Sequence, residues 1–392
     1  MFRGIANDTR MRMPGEFKHN VEGLQTMRFA RAILFLMTTS LAAHGAVTKA
    51  SWGKLPDGTA VDLYTLKSSS VEVGLTTFGA RIVSIKTADR TGKVADVALG
   101  YNSLDGYVTD GKTYVGSVVG RYGNRIAKGK FSIDGKEYTI PTNNGANTLH
   151  GGTTGFDRKV WAAKEIPNGV EFTLVSPDGD MGYPGKLTVH VKYMLVGDAL
   201  HLDYTATSDK ATVVNLTNHA YFNMGGEGSG LILGEEITIH ADHYTPVDSG
   251  LIPTGELAPV AGTPFDLRKP TVIGKADPNA DPQMKLGGGY DHNWVLNGKI
   301  GELHPAARVY DPVSGRVLTV TTTEPGVQFY AGTSIPGTFT GKSGVVYVKN
   351  AGFCLETQHF PDSPNHPKFP SAELKPGQTL HSTTVFTFTV QK

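Results

Sequence analysis

The chain has 392 residues, of which 39% are hydrophobic and 19% charged, and its formal net charge is +1. Its Lys and Arg residues form no run or stripe, so it lacks the electrostatic footprint of a nucleic-acid-binding protein. The 48 glycines and 22 prolines are spread along the chain, which is typical of many turns and few long helices, and the single cysteine excludes an intramolecular disulfide.

The first segment in chain order has the layout of a secretory signal peptide. Residues 27–46 read MRFARAILFLMTTSLAAHGA, with two arginines, a short apolar run and then small residues. The apolar run is too short to span a bilayer, so we expect no membrane insertion after signal removal. We therefore predict export to the periplasm or the exterior. Residues 1–26 would then be unstructured or precede the true start at Met27. The alternative is a buried first strand or helix in a cytoplasmic protein.

From residue 60 onward, short runs of alternating apolar residues are separated by turn chemistry. Apolar residues alternate over 187–193 and again over 200–204, and Gly197-Asp198 between them predicts a β-hairpin. No stretch of ten or more residues has clear helical periodicity, and no composition break marks a linker. The pattern predicts an all-β fold, a large antiparallel β-sandwich with long loops that forms a single domain over residues 47–392.

Three local motifs suggest other chemistry but fit it poorly. Residues 337–343 resemble a phosphate-binding loop, yet three residues separate the glycines where four are needed, and no helical pattern follows. His240 and His243 would point to opposite faces of a strand, so we interpret them as surface histidines. Residues 215–217 match the N-glycosylation triplet but lie in a cluster typical of a buried site.

Residues 215–223, NLTNHAYFN, alternate polar and apolar side chains. On a strand, the polar side chains would share one face and the apolar ones the other; the polar set is Asn215, Thr217, His219, Tyr221 and Asn223. An edge strand facing water would favour Lys and Glu at these positions, so we interpret this face as the lining of a cleft.

Four further polar residues or pairs lie in turns or at strand ends. GRYGNRIAKGKF contributes Asn124 and Arg125, NNGANTLHGG contributes His150, GGGYDHNWVL contributes Asp291, and PGVQFYAG contributes Gln328 beside two aromatic residues. Each segment alone is a weak signal, because Asn-Gly sequences are ordinary turns and an arginine can be a surface cation. Together, amides, charged groups and aromatic rings are typical of a site for a neutral polyhydroxylated ligand.

Residues 352–359, GFCLETQH, contain the only cysteine and allow three chemistries: a thiol nucleophile, a metal site or a carboxylate acting alone. Strand alternation would place Cys354, Glu356 and Gln358 on one face and His359 on the other, which disfavours a local metal site. A thiol nucleophile needs an electrophilic substrate and a histidine partner, and a cleft suited to a polyhydroxylated ligand suggests neither. We interpret Glu356 as the reactive group and Cys354 as a packing neighbour.

Eight motifs in fixed order resemble the aldose 1-epimerase (galactose mutarotase) family: GRYGNRIAKGKF, NTLHGGTTGFDRKVW, SPDGDMGYPG, NLTNHAYFN, PVDSGLIPTGEL, GGYDHN, PGVQFYAG and GFCLETQ. The resemblance covers residues 46–392 and implies the family's supersandwich, a large one-domain β-sandwich. It also implies interconversion of the α and β anomers of free aldohexoses such as glucose and galactose, without metal or cofactor. Glu356 would be the general base and His219 the general acid. The sugar-binding residues it implies are Asn124, Arg125, His150, Tyr221, Asp291 and Gln328.

Rival functions remain at this point. A glycosidase would use Glu356 and Asp291 as its carboxylate pair. A sugar-binding protein without catalysis would need the same cleft, whereas a phosphosugar epimerase would need more cations than Arg125 and Arg121. The expected partner is a monosaccharide, and the protein could be a monomer or a homodimer.

Overall fold

The structure is a computed structural model that describes residues 46–110 and 113–392. Within these residues the chain forms 29 strands, two short α-helices and several 3₁₀ turns. The strands are β1 (Ala46–Lys54), β2 (Ala60–Lys67), β3 (Val71–Thr76), β4 (Arg81–Ala88), β5 (Val94–Asp96), β6 (Val118–Val119), β7 (Arg125–Ile126), β8 (Lys130–Ile133), β9 (Lys136–Thr139), β10 (Thr148–Leu149), β11 (Ala162–Ile166), β12 (Gly169–Ser176), β13 (Leu187–Val196), β14 (Ala199–Ser208), β15 (Thr212–Val213), β16 (Thr217–Asn218), β17 (Glu236–Ile239), β18 (Ala241–Thr245), β19 (Ala258–Pro259), β20 (Thr271–Val272), β21 (Asp291–Leu296), β22 (His304–Tyr310), β23 (Arg316–Thr322), β24 (Gly326–Tyr330), β25 (Phe339–Thr340), β26 (Val346–Tyr347), β27 (Cys354–Gln358), β28 (Glu373–Leu374) and β29 (Leu380–Val390). The α-helices are α1 (Leu104–Thr109) and α2 (Pro282–Gly287).

Three large antiparallel sheets form the body. The longest has nine strands in the order β11-β12-β13-β14-β29-β23-β22-β17-β20, and two five-stranded sheets have the orders β1-β2-β3-β4-β5 and β19-β18-β21-β24-β27. The predicted hairpin is confirmed, because β13 and β14 pair through to Val196 and Ala199 with Gly197-Asp198 as the turn. The all-β prediction is therefore confirmed.

The alternation of apolar and polar residues along β13 determines which of its side chains are buried. Alternate residues of this strand are buried, and they join one hydrophobic cluster that also contains residues of both five-stranded sheets. Tyr64 of β2 meets Phe172 of β12 edge to face at 6.1 Å. Each fully buried aromatic or aliphatic side chain contributes about 1.5–3 kcal/mol, and this burial holds together a chain that has no disulfide.

Short α-helix α2 shows how local sequence sets its own boundaries. Asp281 caps it by accepting hydrogen bonds from the backbone N–H groups of Gln283 and Met284, and Pro282 occupies the first turn. Gly288 ends it in the left-handed conformation (φ 64°). In the described part of the chain, no helix is long and apolar enough to cross a membrane. The predicted signal segment lies outside the described residues, apart from Ala46, which begins β1.

Sheet register brings three site residues together. β21, β24 and β27 are adjacent, so Gln328 lies opposite both Asn293 and Glu356, and Asp291 is diagonal to Gln328. From the other side of the cleft, β7 pairs with β10 so that Arg125 lies opposite Leu149, one residue before His150. Arg125 and Glu356, more than 200 positions apart in sequence, are thereby held on two separate pairs of strands.

The prediction that residues 215–223 form one alternating strand is wrong. Only Thr217–Asn218 is a strand, paired with β6, and the rest is irregular chain with isolated bridges from Asn215 and Phe222. All nine residues are buried, and the segment bridges to chain on more than one side. Its polar side chains therefore divide between the cleft and internal hydrogen bonds.

Candidate active site

A cleft of about 190 Å³ lies where the two sides described above meet. Its lining contains seven of the eight residues expected from sequence, and five more; the full set is Tyr114, Asn124, Arg125, Asn144, Leu149, His150, His219, Tyr221, Asp291, Tyr330, Ser334 and Glu356. A neighbouring cavity of about 440 Å³ shares Tyr114, Asn144 and Leu149 with it. The expected residues thus converge on one polar, aromatic-walled space.

Glu356 and His219 form the closest acid–base pair in the cleft. Glu356 lies in the middle of β27, and its Oε1 is 3.7 Å from Nε2 of His219. Its other oxygen, Oε2, is buried and has no hydrogen-bond partner within residues 46–110 and 113–392. A buried carboxylate oxygen left without a donor is costly unless a ligand supplies one.

His219 is held by backbone and ring contacts. Its N–H donates to the carbonyl of Ser117, and its carbonyl accepts from Gly116 N–H. Its ring packs against Tyr221 at 5.1 Å and against Tyr114 at 5.9 Å. This burial lowers the pKa of His219 from 6.5 to about 4.

Burial acts on Glu356 in the opposite direction. It raises the pKa of this carboxyl well above the ordinary 4.5; the charge of Asp291 raises it further, and that of Arg125 lowers it. Burial also raises the pKa of Asp291, which Arg125 and the Gln328 amide counteract. At pH values between the pKa of His219 and that of Glu356, the pair therefore carries one proton, held mainly by Glu356.

His150 is fixed as a hydrogen-bond donor. Its Nδ1 accepts from the backbone N–H of Asn124 at 3.1 Å, so the neutral ring carries its proton on Nε2. Both residues have left-handed backbone, with φ 62° at Asn124 and 51° at His150, a conformation that Asn and His tolerate better than most. Burial lowers the pKa of His150 well below 6.5, which keeps the ring neutral.

This tautomer bears on metal binding. The possible ligand atoms of His150, His219 and Glu356 lie within 4.8 Å of one another, the distance expected of a metal site. A cation bound to Nε2 of His150 would require the single ring proton to move to Nδ1, where it would meet the backbone N–H of Asn124. The arrangement therefore favours a ligand that accepts a hydrogen bond from His150.

Arg125 and Gln328 support the charged groups of the cleft. Nε of Arg125 donates to Oδ1 of Asn144 at 3.1 Å, which orients the guanidinium along the cleft wall. Gln328 lies outside the lining, where its Nε2 donates to Oδ1 of Asp291 at 2.7 Å. The structure thus places Gln328 behind Asp291, and direct contact between Gln328 and a sugar stays a prediction.

Five lining residues were missed by the sequence interpretation: Tyr114, Asn144, Leu149, Tyr330 and Ser334. In sequence, Tyr330 is only an aromatic neighbour of Gln328; in the structure its hydroxyl accepts from the N–H of Ser334 at 2.8 Å. Asn144 sits in a sequence that reads as an ordinary turn. No local signal identifies Tyr114, whose ring meets His150 at 4.6 Å from an irregular segment.

Other polar residues singled out from sequence have structural partners. Asn215 donates through its amide to the carbonyls of Gly123 and His359, and Asn223 donates to those of Gly230 and Ala351. These two side chains support the chain around the cleft and do not line it.

The remaining motifs also have structural explanations. Lys342, in the segment that resembles a phosphate-binding loop, is half-buried and donates to Asp96 and to the carbonyls of Val83 and Ala98. His240 and His243 are exposed. His359 points away from Glu356, as predicted, and pairs with Glu324 at 2.7 Å.

Comparison with known proteins identifies the family. The sequence matches the aldose 1-epimerase family over residues 62–387. It is 49% identical to galactose mutarotase of Homo sapiens over 346 residues, 88% of this chain and 99% of that one. It is 38% identical to aldose 1-epimerase of Escherichia coli K12, covering 85% of this chain and 96% of the other. The solved galactose 1-epimerase of Lactobacillus acidophilus superposes with a TM-score of 0.77 at 30% identity, covering 89% of this chain and 100% of that one. This chain therefore belongs to the aldose 1-epimerase family.

Proposed function

We propose that this protein is a mutarotase that interconverts the α and β anomers of free aldohexoses such as glucose and galactose. The observation that carries the proposal is the buried pair itself, Glu356 Oε1 and His219 Nε2, 3.7 Å apart in a cleft lined by fixed donors and acceptors. Family membership and the names of the relatives support the same activity.

The reaction needs two proton transfers. One group takes the proton from the anomeric O1 while another gives a proton to the ring oxygen, so the C1–O5 bond breaks and the open aldehyde forms. Rotation about C1–C2 presents the other carbonyl face, and closure returns both protons. We assign Glu356 as the base and His219 as the acid in opening, with the roles exchanged on closing.

The shared proton makes this exchange possible. Because burial favours the neutral form of both groups, the pair holds a single proton at pH values between the pKa of His219 and that of Glu356. For Glu356 to act as base, that proton first passes to His219 or is relayed through the sugar hydroxyls. One proton and one vacant site are what each direction of the reaction requires. Each transfer contributes roughly 10²–10⁴-fold.

The other lining residues bind the sugar and stabilise charge. His150 presents its Nε2–H and Arg125 its guanidinium to oxygens that become negative as the ring opens, and both side chains are largely shielded from solvent. Asp291 and Asn124 can accept or donate to sugar hydroxyls, while Tyr221 and Tyr330 cover its C–H surface. No metal or cofactor is needed for these steps.

The glycosidase alternative is not favoured. A glycosidase would use Glu356 and Asp291 as acid and nucleophile or base, but Gln328 already donates to one oxygen of Asp291. The matched relatives are named as epimerases or mutarotases. A sugar-binding protein without catalysis is not favoured either, because the relatives matched over most of the chain are named as enzymes.

Polarimetry on freshly dissolved α-galactose and α-glucose tests the proposal. We expect the wild type to speed the approach to the equilibrium rotation, and Glu356→Gln and His219→Asn each to lose at least about 100-fold. Glu302→Gln and His240→Asn, at exposed positions, are matched controls expected to keep full activity. Either site variant retaining more than about a tenth of the wild-type rate would remove that residue from the acid–base role.

Export remains part of the proposal. It is supported by the order of basic, apolar and small-residue regions in residues 27–46. Expression of the full chain, followed by cell fractionation and mass spectrometry of the N-terminal peptide, tests it. We expect a mature N-terminus close to Ala46 outside the cytoplasm, and a cytoplasmic protein that retains Met1 would contradict both export and the start at Met27.

A further inference from the structure

The thiol of Cys354 lies against the catalytic histidine. Its Sγ is 3.5 Å from Nδ1 of His219, the ring nitrogen opposite the one that faces Glu356. Both side chains are buried, and Cys354 is fully shielded from solvent. Among residues 46–110 and 113–392, no other side chain hydrogen-bonds to Nδ1 of His219. The sulfur is therefore the side-chain hydrogen-bond partner of Nδ1, while the other contacts of the ring are aromatic packing and the approach of Glu356 to Nε2.

The chemistry restricts which atom donates in this contact. His219 uses Nε2 to deliver or take a proton, so the neutral ring needs its own proton on Nδ1 and a free lone pair on Nε2. After protonation, both nitrogens carry protons and Nδ1 remains a donor. Nδ1 is thus a donor in every state of the cycle, and the atom beside it must accept.

The sulfur can fill that role. A thiol sulfur is a weak acceptor, and burial raises the pKa of Cys354 well above its ordinary value, which keeps it neutral. A thiolate at this position would instead hold the imidazolium tightly and hinder its loss of a proton. The carbonyl of His219 accepts from Gly116 N–H and also acts on its own ring through its second lone pair, so the sulfur is the side-chain acceptor beside Nδ1.

We propose that Cys354 is a positioning residue for catalysis, whose Sγ accepts a hydrogen bond from Nδ1–H of His219 and holds the tautomer that leaves Nε2 facing Glu356. The proposal rests on the mutarotase function proposed above. It replaces the interpretation of Cys354 as a simple packing neighbour, and it places two residues of one strand, Cys354 and Glu356, on opposite sides of the same imidazole.

Several groups besides Cys354 face His219. Glu356 approaches from β27, His150 from the turn after β10, and Tyr114 and Tyr221 pack on the ring. More distant charges also act on its pKa: Arg81 lowers it and Asp110 raises it. A test by pH profile must therefore compare variants that differ only at position 354.

Three substitutions separate positioning from packing. Cys354→Ser keeps an atom that can accept from Nδ1–H, Cys354→Val keeps bulk without a polar atom, and Cys354→Ala covers the case in which valine does not fit. We expect the Val and Ala variants to lose about 3- to 10-fold in kcat, the effect of one modest hydrogen bond, with KM little changed. The acidic limb of their kcat profile should move to lower pH, because the imidazolium has lost an acceptor. The Ser variant should keep kcat within about threefold of wild type.

The outcomes are decisive in either direction. Folded Val and Ala variants with wild-type kcat and an unmoved acidic limb would show that Cys354 only packs, and a Ser variant as impaired as Val would also overturn the proposal. A readout without turnover separates this result from failure of the proposed function. In ¹⁵N-histidine-labelled protein, we expect His219 to be the Nδ1–H tautomer in wild type and Ser, and to shift toward Nε2–H in Val. Unchanged ¹⁵N shifts in the Val variant would refute the positioning role, whether or not the wild type shows mutarotation.

Discussion

The acidic limb of the pH–rate profile is the most direct test of the buried acid–base pair. Burial lowers the pKa of His219 from 6.5 to about 4, a difference equivalent to about 3 kcal/mol between its protonation states. Below that pH the pair gains a second proton, because Glu356 already holds one, and the cleft loses its base. We therefore expect kcat/KM to stay level down to about pH 5 and to fall tenfold per pH unit below about pH 4.

The fraction of the plateau rate that is left at pH 5 distinguishes a His219 with a lowered pKa from one with an ordinary imidazole pKa. At pH 5 a group with a pKa of about 4 leaves about 90% of the plateau rate, whereas an unperturbed imidazole would leave about 3%. Initial-rate polarimetry on α-galactose, with the spontaneous rate subtracted at each pH, measures this difference. Circular dichroism at each pH controls for unfolding. A folded enzyme that retains only a few per cent of its plateau kcat/KM at pH 5 would refute the claim that burial lowers the pKa of His219.

Three further predictions follow from the contacts around the cleft and behind it. Asp291→Asn removes a negative charge that raises the pKa of Glu356, so the alkaline limb of kcat/KM should move to lower pH; an unmoved limb in the purified variant contradicts the coupling. Gln328→Leu removes the amide that donates to Asp291, so KM should rise about tenfold while kcat changes less, and an unchanged KM would show that Asp291 needs no support. Glu324→Gln should lower the free energy of unfolding by about 1–3 kcal/mol at about pH 5.5, and by less at about pH 8, in urea denaturation. The loss is larger at pH 5.5 because both partners are charged there. The lowered pKa of Glu324 adds stability at pH values above its ordinary pKa of 4.5. The raised pKa of His359 adds stability that is fully present below its ordinary pKa of 6.5 and is lost as pH rises through the pKa in the folded protein. Equal losses at the two pH values would argue against the ion pair.

Sequence patterns within a single segment correctly predicted the features that depend only on the backbone of that segment. Alternation and a Gly-Asp turn predicted the hairpin of β13 and β14, and alternation predicted that Cys354 and Glu356 share a face while His359 lies on the other. These predictions succeed because side-chain direction on a strand has a fixed period of two. The ordered motifs predicted the family and the identity of the site residues, since chemistry that needs particular side chains keeps them at set places along the chain.

The sequence patterns gave wrong or incomplete predictions where contacts with distant parts of the chain determine the structure. Residues 215–223 look like one strand in sequence, but the segment's bridges to distant chain stop the alternation after Asn218. Gln328 reads as one more sugar ligand, yet sheet register places it behind Asp291. Tyr114 carries no signal, because only the approach of His150 and His219 gives its ring a role.

The sequence by itself determined that the chain is an all-β protein of the aldose 1-epimerase type, with Glu356 and His219 as its reactive candidates. Both conclusions depend on residue types and local order. Only the tertiary structure decided the electrostatics. The depressed pKa of His219, the elevated pKa of Glu356, the donor tautomer of His150 and the sulfur beside His219 all arise from desolvation and from contacts between residues 26 to 137 positions apart. Such contacts exist only once the sheets have assembled, because a pKa is a property of a group's surroundings.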